Sequence, residues 1–258
     1  MKFLIQKINN QIRHDFSFTL LESARFWNWL SNDQHIFIRY KNTETDDKDE
    51  IQPFEFSKYH HSYIPIGSVE FVTQFLEHFY GLHPKPINVP TSLFNYAGRE
   101  IFNGTNMSLE GLEGRWIVKD NDKIKGMMKE VLNPDILSVP PKGNYQISKY
   151  ISIDSEWRTF IYKGKLVGLQ HYVGEFTLFP DVKEIKSMID RFEASKEAPI
   201  AYTLDVGVND KGTFVIECHD FFSCGLYGFS AHNILPQMFG RWFTQYVNKN
   251  KNGTNRNI

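Results

Sequence analysis

Apolar positions along the chain recur at two spacings, and the change from one to the other marks out the elements. Near the amino end a short apolar run, Phe3-Leu4-Ile5, precedes LLESARFWNWL, where apolar residues fall three and four apart, and then HIFIRY, which reads as a strand. That order predicts a β-α-β start, with Asn32 and Asp33 in the turn behind the helix. Residues 41–52, KNTETDDKDEIQ, have little apolar content and read as a charged loop. After YIPIGS, residues Val69, Phe71, Val72, Phe75, Leu76 and Phe79 repeat at helical spacing, with Ser68 as N-cap and Gly81 as terminator. The prolines of LHPKPINVP then mark a connection and place a boundary near residue 90.

Beyond that boundary short strands dominate. Arg115 to Lys119 predicts a strand, followed by a polar loop carrying Lys123, Lys125 and Gly126. MMKEVLNPDIL, residues 127–137, reads as a short helix closed by PPKG. Three strands, YQISKYI, EWRTFIY and LVGLQHYV, are joined by short turns and predict an antiparallel meander. A helix from Asp181 to about Ala194 follows. Two apolar runs then face each other across Asn209-Asp210-Lys211-Gly212, a hairpin signal because asparagine and glycine tolerate the backbone of a tight turn. A last helix through NILPQMFGRWFTQYV gives way to a polar tail, expected to lack fixed structure.

The hairpin carries the chemistry. Each apolar run holds one carboxylate, Asp205 in LDVGV and Glu217 in VIECH, and burying an unpaired carboxylate costs several kcal/mol, roughly, unless a cation compensates it. Two such groups on one hairpin point to a divalent metal. Upstream, Glu156 and Arg158 lie two apart on a strand and share a face, a spacing that also suits a simple ion pair. The loop at Lys123 has the flexible backbone and ammonium charge of a phosphate cradle, and equally the composition of an ordinary surface loop.

Composition narrows the rest. With 258 residues, 41% of them hydrophobic, the chain can bury one large core or two modest ones. A net charge of −1 gives no overall field for nucleic acid or a membrane surface, so an anionic ligand needs a local basic cluster. No apolar run reaches the roughly 20 residues of a bilayer span, and a cytoplasmic protein is the expectation. The only cysteines, Cys218 and Cys224, are expected as free, partly buried thiols.

From about Ile87 to Phe229 the chain resembles an ATP-grasp domain, and YIPIGSVEFV, SEWRTFIYKGKLVG and DVGVNDKGTFVIECHDFFSCGLYGF are similar to the phage- and bacteria-associated clade named for one arginine and two lysines. The resemblance implies an α+β fold in which two lobes clamp a nucleotide, preceded by a small α/β domain, with boundaries at 1–90, 91–245 and a polar tail at 246–258. It implies ATP and Mg²⁺ as cofactors, with Asp205 and Glu217 as metal ligands and His219 where an asparagine usually completes the set, Asp220 standing next to it. Lys119 matches a lysine that reaches the α- and β-phosphates, and Arg99 an earlier basic contact. Gln146, Ser148, Lys149, Tyr150 and Ile151 match the strand whose backbone reads adenine; Glu156 would hold the ribose and Arg158 the γ-phosphate or the anionic intermediate. The activity so implied is a carboxylate–amine ligase working through an acylphosphate on small-molecule or peptide substrates, with Arg158 and Lys119 catalytic. A phosphotransferase on the same fold, or a nucleotide-binding interaction module without turnover, are the alternatives. His171 and His219 are the candidate bases, and SCGLYGF is expected to shape the acceptor side.

Overall fold

A computed structural model describes residues 1–32, 35–45, 53–126, 128–133 and 140–254. The chain divides into two compact units, one formed by Met1–His83, Pro199–Ala201 and Phe221–Ile258, the other by Pro84–Ala198 and Tyr202–Asp220. The segment from Phe221 onward therefore groups with the amino-terminal residues, so the units are not contiguous stretches of sequence divided near residue 90.

In the first unit, β1 (Lys2–Ile8), α1 (Asp15–Ser31) and β2 (Phe37–Thr43) form the expected β-α-β start. β1 pairs in parallel with β2 on one side and β3 (Ile64–Ile66) on the other, and as the central strand it buries Phe3, Leu4 and Ile5 completely. β2 extends into the expected charged loop as far as Thr43; residues 46–52 of that loop and Asp33 lie outside the described residues. α2 (Val69–Tyr80) begins where the Ser68 hydroxyl accepts the Phe71 N–H and ends at Gly81, whose φ of 65° closes the helix in the left-handed region. Phe71 and Phe75 from its apolar face meet Phe56 edge-on, with ring centroids 5.5 and 5.3 Å away. The final helix, α4 (Leu235–Thr254), buries Leu235, Met238, Phe239, Trp242, Phe243 and Val247 at three- and four-residue spacings. It runs well into the stretch expected as an unstructured tail, because its apolar face gives the polar end a scaffold to continue from; 255–258 lie outside the described residues.

The second unit holds two antiparallel sheets. β4 (Ile101–Thr105), β5 (Arg115–Asp120), β6 (Met128–Leu132) and β7 (Asn144–Lys149) lie in the order β4-β7-β5-β6. β8 (Ser155–Tyr162), β9 (Lys165–Gly174), β10 (Ala201–Asn209) and β11 (Gly212–Asp220) lie in the order β11-β10-β8-β9. Two expectations fail here. Residues 128–132 are a strand and not a helix: they pair with β5 from Arg115↔Leu132 to Lys119↔Met128, and that ladder overrides the helix preference of methionine, lysine and glutamate. Residues 134–139 of the same segment lie outside the described residues. The meander is also broken, since β7 belongs to the first sheet while β8 and β9 form a hairpin in the second.

Each sheet has its own core. Leu109, Trp116, Val118, Val131, Tyr145 and Ile147 fill one. In the other, Ile185, Met188, Ile189 and Phe192 of α3 (Val182–Ala194) pack onto Ile161, Leu204, Val206 and Val215. Asp181 caps α3 by accepting the Lys183 N–H at 2.7 Å. Asn88 ties the two sheets together: its carbonyl accepts the Cys218 N–H of β11, and its side-chain amide donates to the Asp120 carbonyl at the end of β5. Cys218 and Cys224 are both buried and neither forms a disulfide.

Candidate active site

The predicted hairpin forms with a two-residue connection, and its register sets Asp205 directly opposite Glu217. Directly paired residues of an antiparallel ladder point to the same face, and His219, two residues on, joins them. The pairing then slips: Asp205 opposes Glu217, but Val206 opposes Val215, so Ile216 is a bulged extra residue. The bulge removes ladder partners from the local carbonyls, and Arg99 supplies replacements by donating to Val215 O at 2.9 Å and Ile216 O at 3.3 Å. Arg99 also donates to Ala97 O at 2.8 Å, so its guanidinium braces the hairpin behind the carboxylates. Burial brings its pKa down to about 10, against the opposing pull of Glu217.

Both carboxylates are matched by cations. Asp205, 1% exposed, is held in a two-pronged pair by Arg158 of the adjacent strand β8, Nε to Oδ1 at 2.8 Å and Nη2 to Oδ2 at 2.7 Å. Glu217 accepts Lys119 Nζ from β5 at 2.5 Å on one oxygen and meets His219 Nε2 at 2.7 Å on the other. Burial opposes ionisation of Glu217, yet His219 and Lys119 together hold its carboxyl well below the usual range. Burial likewise opposes the charged form of His219, and the Glu217 carboxylate outweighs it, lifting the imidazole above its ordinary value. One ligand atom from each of Asp205, Glu217 and His219 lies within 4.8 Å of the others. Two carboxylate oxygens and one imidazole nitrogen converging in this way suit a divalent cation.

Tyr172 completes the group and was not foreseen. Its hydroxyl donates to Glu156 Oε2 at 2.7 Å and lies 3.4 Å from Asp205 Oδ2. It reaches them because β8 and β9 slip between Glu156/Trp157, making Tyr172 the extra residue of a second bulge. Burial, Asp205 and Glu156 push its phenol far above the normal value, so it serves only as a donor. No local sequence signal marks Tyr172, since a bulge depends on the partner strand.

The structure thus brings together Arg99, Lys119, Glu156, Arg158, Asp205, Glu217 and His219. The strand expected to read adenine is more committed than its sequence implied. Gln146 clamps the Val89 backbone, donating to its carbonyl at 2.8 Å and accepting its N–H at 3.0 Å. Ser148 is paired on both sides, with Ile101 and Ile117. Lys149 N–H donates to Glu100 O and Tyr150 N–H to Arg115 O, both at 2.8 Å, so two of the expected amide contacts already serve the sheet. The Arg115 guanidinium covers the Tyr150 ring at 3.7 Å, and Ile151 lies just beyond, partly buried. Lys123 is exposed on a loop that Asp120 organises by accepting the Asp122 and Lys123 N–H groups. His171 stands apart: it faces Trp157 edge-on at 5.1 Å, and by alternation along β8 that is the face opposite Arg158. Ser223 of SCGLYGF donates its hydroxyl to the Gly67 carbonyl within the first unit.

Similarity to other proteins agrees with this architecture. D-alanine–D-alanine ligase from Bacillus anthracis superposes with a TM-score of 0.52 at 14% identity, covering 97% of this chain and 99% of that one. The same ligase complexed with ATP gives 0.51 at 16% identity, again over 97% and 99%. D-cycloserine synthetase gives 0.52 at 10% identity, over 96% and 100%. At such identities the likeness establishes the fold alone. No curated protein matches the sequence. The model of the ATP-grasp domain, second family of the clade named for one arginine and two lysines, matches residues 96–236, more than half of the chain, and the protein belongs to that family.

Proposed function

We propose that the protein is an ATP- and Mg²⁺-dependent ligase that joins a carboxylate to an amine. The observation that carries this reading is the opposed pair Asp205 and Glu217, completed by His219 and ringed by Arg158, Lys119 and Arg99 on neighbouring strands and loops. Family membership and ligase-type neighbours support it. Asp205, Glu217 and His219 would hold the divalent cation, which when bound neutralises the nucleotide phosphates.

The chain's own residues define the remaining work. Glu217 accepts Lys119 on one oxygen, so a cation that takes over this carboxylate leaves the Lys119 ammonium available to phosphate oxygens on the same face. Arg158 is oriented by Asp205 and backed by the Tyr172 ring, 5.7 Å from the guanidinium, which holds its charge in one place for the anionic acylphosphate. Tyr172 fixes Glu156, leaving the other carboxylate oxygen of Glu156 as an acceptor for a ribose hydroxyl. In this arrangement the protein supplies position and charge rather than a general base.

Purified protein incubated with ATP, Mg²⁺ and a panel of amino acids and peptides should release ADP and phosphate and yield an amide by mass spectrometry. A stable phosphorylated product would identify a phosphotransferase instead. A second reading, a nucleotide-binding module without turnover, is favoured by the saturation of both carboxylates by Arg158 and Lys119. For that reading the nucleotide binds but neither ADP nor an amide is released with any substrate; for the ligase both are released.

A further inference from the structure

Helix α1 packs inward through Phe16, Ser17, Leu20, Ser23 and Ala24. On the opposite face Trp29 is 75% exposed and Phe18 57% exposed, an unusual placement for large aromatic side chains on a polar surface. Between them stand Glu22 and Arg25, paired at 2.7 Å on the same surface. At 3.6 residues per turn Phe18, Glu22, Arg25 and Trp29 fall within about 60° of one another around the axis, and Phe18 and Trp29 are separated by about 16 Å along it.

The order of these four residues is self-complementary. Phe18 and Trp29 are symmetric about the point midway between Ser23 and Ala24, and Glu22 and Arg25 are symmetric about the same point. A two-fold axis through that point, with a second α1 running antiparallel, sets Phe18 of each copy beside Trp29 of the other. It also sets Glu22 of each copy at the height of Arg25 of the other. Apolar groups then meet apolar groups at both ends of the contact, and opposite charges meet at its centre.

We propose that this face of α1 is a homodimer interface in which two copies of the chain associate through an antiparallel α1 pair. Phe26, 37% exposed, and Leu30, 57% exposed, flank the seam on one side and widen the apolar contact. The two-fold symmetry doubles the effect of every substitution, because each appears twice in the interface.

Sedimentation equilibrium of the full chain tests this. The wild type should pass from the mass of one chain to that of two with increasing concentration, and Trp29→Asp should remain a monomer. Glu22→Arg and Arg25→Glu each set like charges against one another at two symmetric places and should weaken association by about tenfold or more. The double variant Glu22→Arg with Arg25→Glu restores opposite charges and should recover the wild-type dissociation constant. Because all four side chains are at the surface, far-UV circular dichroism should be unchanged in every variant. A wild-type monomer at all concentrations overturns the proposal, as does a dimer indifferent to Trp29→Asp, or a double variant as weak as either single one.

Discussion

Replacing Asp205 with asparagine removes the acid half of a buried ion pair and leaves the other half in place. Arg158 is 7% exposed and directs both Nε and Nη2 at Asp205, at 2.8 and 2.7 Å. Asparagine keeps the volume and can accept one of those hydrogen bonds, but it cannot balance the guanidinium charge. Breaking a buried pair on one side costs about 3–5 kcal/mol. At roughly 2–4 °C per kcal/mol for a chain of this size, the midpoint should fall by about 6–20 °C. Differential scanning fluorimetry and urea titration would measure it, and Arg158→Met with Asp205→Leu, which removes both charges, should recover most of the loss. A drop of less than about 1 kcal/mol for Asp205→Asn would show that solvent or a neighbour already screens Arg158, and the pair would then be a surface-type bridge.

Glu217→Gln is the cleaner probe of the site: its side chain is 22% exposed against 1% for Asp205, so stability should fall by less than the roughly 3–5 kcal/mol of a fully buried pair while Mg²⁺-dependent nucleotide binding is lost, as titration calorimetry would show. His219→Asn replaces an imidazole nitrogen with an amide oxygen, and the preference for Mn²⁺ over Mg²⁺ should fall, read from Mn²⁺ binding by electron paramagnetic resonance. The raised pKa of His219 means its pair with Glu217 contributes stability fully below about pH 6.5 and loses it as pH rises through the shifted value, so the difference in midpoint between wild type and His219→Asn should shrink toward alkaline pH. Gln146→Leu strands the Val89 N–H and carbonyl inside the second unit and should destabilise by about 1–3 kcal/mol in urea titration.

The parts of the molecule that were legible in sequence are those whose cause is local. Ser68 and Gly81 bracket α2 because a cap and a left-handed terminator act within one turn. The hairpin at 201–220 could be read because its turn residues and its two embedded carboxylates lie within a few residues of each other. What escaped depends on distant partners. β6 is a strand because β5 offers an edge, against the preference of its own residues. A short turn cannot say whether the strands it joins pair, and β7 and β8 go to different sheets. The bulges at Ile216 and Tyr172 arise from mismatch between paired strands, and they decide that Arg99 braces carbonyls of β11 and that Tyr172 reaches Glu156. Asp205 and Glu217 were recognisable as charges needing compensation; that Arg158 and Lys119 provide it required the packing of four strands, β5, β8, β10 and β11.

The proposed ligase activity requires a metal-assisted nucleotide site at Asp205, Glu217 and His219. Titration calorimetry of a non-hydrolysable ATP analogue into the full chain, with and without Mg²⁺, tests it directly. Binding that requires Mg²⁺ in the wild type and disappears in Glu217→Gln is the predicted result; no binding in either condition, or binding indifferent to both Mg²⁺ and Glu217, would contradict it.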